Sequence, residues 1–203
     1  MYEHEYFFIQ PPASNPRVPF LSPDQNTANR HYRFEALPLG QAPLTFQNEN
    51  RAQNRLQGIK SVTTDVLFDG TDLVVRDKIR ERLLDRDIPR LHVYPAIYID
   101  DGDKWHEDFW FLTFTERWDC WDRATSDYEQ EAPPVRLGGV AYHQVYSYRF
   151  DRALMDSTPL AERLLFKLGG TLDAYVVAHE SLLTEVFGAP GINGADYLRV
   201  SDY

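Results

Sequence analysis

Trp105-His106-Glu107-Asp108-Phe109-Trp110-Phe111-Leu112-Thr113-Phe114-Thr115-Glu116-Arg117-Trp118-Asp119-Cys120-Trp121-Asp122 is the stretch on which the fold of this chain turns. It holds all four tryptophans and the only cysteine among 203 residues. Glu107 to Phe114 is dense in aromatic and β-favouring side chains, which is strand chemistry. Just before it, Leu91-His92-Val93-Tyr94-Pro95-Ala96-Ile97-Tyr98-Ile99 also alternates, and Asp100-Asp101-Gly102-Asp103 is a tight turn. The two runs therefore read as a β-hairpin. Alternation sends Phe109 and Phe111 to the interior, with Cys120 and Trp121 at or near it. Pro95 puts the first strand at an edge or a bulge, because proline has no amide to donate. Trp118 to Trp121 reads as a third strand.

Toward the C-terminus, Asp122 to Pro134 is polar and loop-like. Tyr142 to Phe150 alternates, with Tyr142, Gln144, Tyr146, Tyr148 and Phe150 on one face of a strand. Leu164–Leu168 and Tyr175–Ala178 flank Gly169-Gly170 as a second hairpin. His179 to Phe187 carries Leu182, Leu183, Val186 and Phe187 at helical spacing, stopped by Gly188 and Pro190. Ala195 to Val200 closes the chain as a strand. Toward the N-terminus, Val62–Phe68 is a strand ended by Asp69-Gly70. Asp72 to Asp85 reads as a helix with Val75, Ile79 and Leu83 as its apolar stripe, ended ahead of Pro89. Arg76, Asp77, Arg80 and Glu81 lie off that stripe as a solvated face. Leu73-Val74-Val75, a helix and a strand are echoed by Tyr175-Val176-Val177, a helix and Tyr197–Val200, so two similar units are stacked in one body.

The first sixty residues differ in character. Tyr6 to Ile9 is a short edge strand. Pro11, Pro12, Pro16, Pro19, Pro23, Pro38 and Pro43 then exclude helix and central strand. Apart from one short strand near Tyr32–Phe34, this is an irregular arm. Its apolar residues (Phe20, Leu21, Phe34, Leu37, Leu39, Leu44, Phe46) hold it against the body. The expected organisation is an arm over residues 1–60 and an α+β domain over 61–203, with a mixed, largely antiparallel sheet and a few packed helices.

Composition narrows the functional classes. A hydrophobic share of 43% supports a packed core. The net charge of −10 argues against nucleic acid and against anionic membrane surfaces. It suits a basic partner, since opposite fields speed encounter. One cysteine forms no internal disulfide, and Cys120 in its aromatic surround reads as a small buried hydrophobe. No run of about 18 apolar residues exists to span a membrane, and Met1 to Glu5 lacks a basic signal-peptide start, so a cytoplasmic location is expected.

Eleven acids and three bases lie between Asp100 and Glu131, a surplus of eight negatives against ten for the chain. The stretch reads either as a solubilising set of loops or as a docking surface for a cationic protein. In the second reading Asp101, Asp103, Glu107, Asp108, Asp119 and Asp122 supply charge, and Trp105 and Trp118 are anchors. His106, Glu107, Asp108, Asp119 and Asp122 are possible metal ligands, but no pair has the spacing of a zinc or calcium loop. His92, His106, His143 and His179 are scattered, and no nucleophile, P-loop or dinucleotide motif occurs. No cofactor or catalytic residue is expected.

Several of these segments resemble parts of a known family. They are Val74-Val75-Arg76-Asp77-Lys78-Ile79; Leu91 to Ile99; Trp118-Asp119-Cys120-Trp121-Asp122 with Ser126-Asp127-Tyr128; Leu165-Phe166-Lys167-Leu168; Val176-Val177-Ala178-His179-Glu180-Ser181-Leu182; and Gly191-Ile192-Asn193-Gly194-Ala195-Asp196-Tyr197. In order and spacing, Val62 to Val200 resembles the eleventh immunity-protein family of bacterial polymorphic-toxin systems, formerly a domain of unknown function of myxobacterial type. The resemblance implies a non-enzymatic antitoxin that binds a secreted toxin (effector) domain and blocks it in the producing cell. An enzyme using a carboxylate or metal site in 105–122, and a non-enzymatic adaptor, are the alternative readings.

Overall fold

The computed structural model describes residues 1–13, 15, 17–38 and 40–203. Pro16 and Leu39, counted above with the arm, lie outside the described residues. In order the elements are β1 (Tyr6–Gln10), β2 (Leu21–Pro23), α1 (Gln25–Ala28), β3 (Leu44–Asn48), α2 (Arg51–Gln57), β4 (Val66–Asp69), β5 (Asp72–Arg76), α3 (Asp77–Leu84), β6 (Leu91–Ile99) and β7 (Trp105–Phe114). Then come β8 (Arg117–Trp118), β9 (Asp127–Tyr128), β10 (Val135–Leu137), β11 (Val140–Tyr142), β12 (Val145–Ser147), α4 (Arg152–Ser157), β13 (Leu165–Leu168), β14 (Val176–His179), α5 (Glu180–Leu182) and β15 (Asp196–Arg199). The fold is α+β, with mixed and largely antiparallel sheets.

The hairpin read from the sequence is the spine of the first sheet. β6 and β7 pair from Leu91↔Phe114 to Ile99↔Trp105 within the order β2-β3-β6-β7-β5-β4. The two outer strands then meet in a parallel bridge, Phe20↔Phe68, which closes the sheet into a barrel. Alternation does the rest. Leu21, Leu44, Phe46, Leu67, Val74, Tyr94, Ala96, Tyr98, Phe109 and Phe111 fill the interior together with Tyr32. The intervening residues Val66, Phe68, Leu73, Val75, Leu112 and Phe114 point outward into a second core.

That second core joins the barrel to a five-stranded sheet of order β15-β1-β14-β13-β8. Ile79 and Leu83 of α3 meet Leu182, Val186 and Phe187 of the C-terminal helix there, beside Ile9, Leu165, Val176 and Ala178. The opposite face of this sheet presents Tyr6, Phe8, Phe166, Leu168 and Val177 to a third core, closed by Cys120, Trp121, Val145, Tyr148, Phe150 and Met155.

The echo in the sequence corresponds to a repeated topology. The hairpin β4–β5 leads into α3 and β6, and the hairpin β13–β14 leads into α5 and β15. The orders β4-β5-β7-β6 and β13-β14-β1-β15 match, with every pair antiparallel. In the first unit the inserted strand is β7, which follows directly. In the second it is β1, from the other end of the sequence.

Several expectations are corrected. Tyr6–Ile9 is no edge strand: it pairs with β14 on one side and β15 on the other. Residues 1–60 are not an irregular arm, since β1 joins one sheet while β2 and β3 complete the barrel. Tyr32–Phe34 forms no strand; Tyr32 is instead a barrel plug whose hydroxyl donates to Asp69 at 2.8 Å. For Pro95 the expected bulge is found close by and the edge is not, since it lies in an interior strand. Its missing amide is tolerated because β3 pairs with β6 only from Ala96 onward, and the β6–β7 register shifts just beyond it. The helix over 72–85 starts only at Asp77, because Asp72–Arg76 is held in the ladder between β4 and β7. The third strand at Trp118–Trp121 is reduced to Arg117–Trp118. The strand over 142–150 is broken into β11 and β12, so Tyr148 and Phe150 are buried while Tyr146 is 50% exposed.

Two polar devices tie these layers together. Lys167 of β13 is 1% exposed and forms an ion pair with Asp72 of β5. Asp72 also lies 3.5 Å from Arg33, which holds Asp69 at 2.6 Å. Burial pushes the Lys167 ammonium below its ordinary pKa, and Asp72 opposes that push.

His179 caps the C-terminal helix through Nδ1, which accepts from the Ser181 amide at 3.2 Å. Burial holds its imidazole below the ordinary value, with Glu5 working the other way. The ring therefore stays neutral in the fold while the unfolded chain takes up its proton first as pH falls through about 6.5. Stability is expected to drop below that pH. His179→Asn keeps a capping oxygen without a titrating ring, so its melting temperature should fall less than wild type between pH 7.5 and pH 5.5. Equal slopes in the two proteins would remove His179 from the account.

Candidate functional site

The β6–β7 turn gathers five of the eight candidate residues. Asp100 organises it: Oδ1 accepts from the amides of Gly102 at 2.8 Å and Lys104 at 3.0 Å, and Oδ2 sits 2.9 Å from His106 Nε2. Partial burial works to raise the Asp100 carboxyl, but His106 and the two amides outweigh it and hold the group below the usual range. Asp101 turns inward, accepting from Asn48 at 3.0 Å and Ser61 at 2.6 Å. Asp103 binds Arg51 of α2 at 2.5 Å, with Arg55 3.7 Å away. The Arg51 hydrogen bond keeps its carboxyl below the usual range. Asp108 is paired with Arg76, whose guanidinium also stands over the Phe109 ring at 4.9 Å.

Besides Asp103, whose side chain is 70% exposed despite its arginines, two candidates at this end are presented to solvent. Trp105 is 57% exposed, on the first residue of β7. Glu107 is exposed and, among the described residues, has no ion pair. With Lys104, Asp108, Arg76 and Asp77 they edge a shallow cleft of about 510 Å³.

The other three candidates lie elsewhere. At about 3.3 Å per residue, β7 carries the chain roughly 30 Å from Trp105 before Trp118 is reached. Trp118 belongs to the five-stranded sheet and packs edge-on against Phe166, ring centres 4.7 Å apart. Asp119 is clamped by both nitrogens of Arg123 at 2.5 and 2.6 Å, and that guanidinium stacks on Trp121 at 3.9 Å. Asp122 closes a local turn, accepting from the Ala124 amide and the Thr125 hydroxyl, each at 2.8 Å. Those bonds, the amide first, hold its carboxyl below the usual range. Cys120 between them is fully buried, and burial drives its thiol well above the ordinary value.

The structure thus divides the eight residues between two sheets, and it neutralises much of the acidity. Asp103, Asp108 and Asp119 each have an arginine partner within the chain. Sequence reasoning missed Arg51 and Arg55 as part of this end. Their i, i+4 spacing in a segment otherwise short of cations was the available signal.

Among the described residues, no three His, Cys, Asp or Glu side chains are grouped so as to hold a metal ion. No described helix is long and apolar enough to cross a membrane. No protein-family model matches the chain, and no curated protein matches it.

Proposed function

We propose that this protein is an immunity (antitoxin) protein of a polymorphic-toxin system, acting in the cytoplasm. It binds a cognate secreted effector domain, basic in character, and neutralises it by stoichiometric occlusion without chemistry of its own. Two things support the reading. One is the ordered set of segments between Val62 and Val200 that resembles the eleventh immunity family. The other, on which the placement of the interface rests, is Trp105: a 57% exposed residue on a strand end, beside the carboxylate of Glu107, which has no ion pair among the described residues. Large aromatics on rigid elements are the commonest anchors of protein interfaces, and a flanking carboxylate selects a cationic neighbour.

The test is co-expression with the toxin domain encoded beside this gene. Protection of growth and a one-to-one complex are expected. Trp105→Ala should weaken that complex by at least about 2 kcal/mol, or roughly 30-fold, without lowering the melting temperature of the free protein. Affinity should also decline as salt is raised, because the Glu107 contribution is exposed and screened. Failure of protection with the adjacent toxin would sink the proposal. Full affinity in the Trp105 variant would sink the proposed interface.

A further inference from the structure

A cleft of about 700 Å³ lies where the N-terminal turn, the segment after β8 and the start of α4 converge. Glu3, Glu5, Asp122 and Asp156 stand in its walls with the rings of Tyr2 and Phe150. Glu3 is the informative residue. It is 4% exposed. Its Oε1 accepts from the Phe150 amide at 2.7 Å, while its Oε2 is buried and has no hydrogen-bond partner among the described residues. A buried carboxylate oxygen without a donor bears its desolvation penalty uncompensated. The site is short of one donor, and a charged donor answers it best.

The cations already in the wall do not supply it. Arg149 donates to the Tyr148 carbonyl at 2.9 Å. Arg152 is 88% exposed and faces Asp156 at 3.6 Å. Four carboxylates against two guanidiniums and the amino group of Met1 leave the lining one charge negative. The carboxylates are too dispersed to converge on a metal ion. Asp122 and Asp156 are each held by neighbours, Asp122 by Ala124 and Thr125 and Asp156 by the Tyr2 hydroxyl at 2.5 Å, so the wall is fixed in advance of any ligand. An extended organic cation fits this arrangement: its charged head has a buried acceptor, and its alkyl stem has two aromatic rings to lie against.

We propose that this cleft binds a guanidinium or alkylammonium group, with Glu3 Oε2 as the inner acceptor and Glu5 and Asp122 as the outer ones. The chemistry is common to a free small cation and to a basic side chain offered by another protein. It stands whether or not that protein is a toxin. Among the sequence candidates for partner binding, Asp122 is the one that lines this cleft.

The experiment is an amide NMR titration of the full chain with butylguanidinium chloride, and with butylurea as its uncharged counterpart of the same shape. Saturable shifts at Glu3, Asp122 and Phe150, with butylurea at least tenfold weaker, are expected. Glu3→Gln should weaken binding at least tenfold. Because Glu3 also holds the Phe150 amide, that variant can lose structure. Asp122→Asn keeps the acceptor for the Ala124 amide, removes only an outer charge, and should weaken binding about threefold. Nα-acetylarginine amide binding more tightly than butylguanidinium supports a side chain from a polypeptide; the reverse order supports a free cation. Absence of saturation, equal binding of butylurea, or indifference to Asp122→Asn in a folded protein overturns the assignment.

Discussion

Asp72→Ala is expected to destabilise the protein by about 3–5 kcal/mol, because it leaves a buried ammonium without its counter-ion. Lys167 is 1% exposed on β13, and its only ion pair among the described residues is with Asp72. The pair joins the two sheets, so strand propensity cannot compensate for its loss. The cost should also depend on pH in a direction that identifies it. Burial already lowers the Lys167 pKa, and without Asp72 it falls further. The variant's unfolded chain then holds a proton that the fold sheds, so the variant should regain stability as pH rises from 7 toward 9, more than wild type does. Replacing both partners by apolar residues, Asp72→Leu with Lys167→Met, should return stability to within about 1 kcal/mol of wild type. Urea unfolding at both pH values measures all of this. A loss under about 1 kcal/mol in Asp72→Ala would show that the pair is not the fastening described.

The second large effect is expected at Trp121, where alanine should remove about 3–5 kcal/mol. The indole is 2% exposed and sits in the third core against Tyr128, His143 and Tyr148, with ring centres 5.2, 5.8 and 6.3 Å away. Its Nε1 donates to the Gly169 carbonyl at 3.2 Å, and its backbone bridges Phe150. One side chain thus fastens the long covering segment to the sheet beneath it. Trp121→Phe retains most of the packing but leaves the Gly169 carbonyl without its donor. It should fall between wild type and alanine, about 1–2 kcal/mol below wild type. If phenylalanine is as damaging as alanine, the hydrogen bond dominates; if alanine is mild, the segment is anchored elsewhere and this account of the third core fails.

How much was legible in the sequence depends on the range of the signal. The hairpin over 91–114 was readable because Leu91–Ile99 alternates cleanly, Glu107–Phe114 is dense in β-favouring side chains, and the Asp-Gly turn between them is local. β3 carried the same signal, with Leu44 and Phe46 buried and Gln47 exposed, but the prolines around it masked it. β1 was recognisable as a strand and yet misplaced, since alternation in Tyr6–Ile9 says nothing about His179 or Arg199 as neighbours. Barrel closure rests on a single bridge between Phe20 and Phe68, which no periodicity announces. At the candidate site the surplus of acid was a sound count of charge. It was silent on position, because Arg51, Arg55 and Arg76 come from other parts of the chain to meet it. Glu3 gave no sequence signal at all; only its unmatched oxygen marks it.

The position of β1 has a consequence in time. Tyr6-Phe7-Phe8-Ile9 is synthesised well before β14 and β15, its two neighbours. At the roughly 5–20 residues per second of synthesis, an apolar strand waits on the order of 10–40 s with both edges open. The barrel closes around residues 20–114 and needs none of the late strands, so it can stand complete on the nascent chain while β1 is still unpaired. The nascent protein is therefore most exposed to misassembly at β1, and a holding chaperone acting there has roughly half a minute in which to matter.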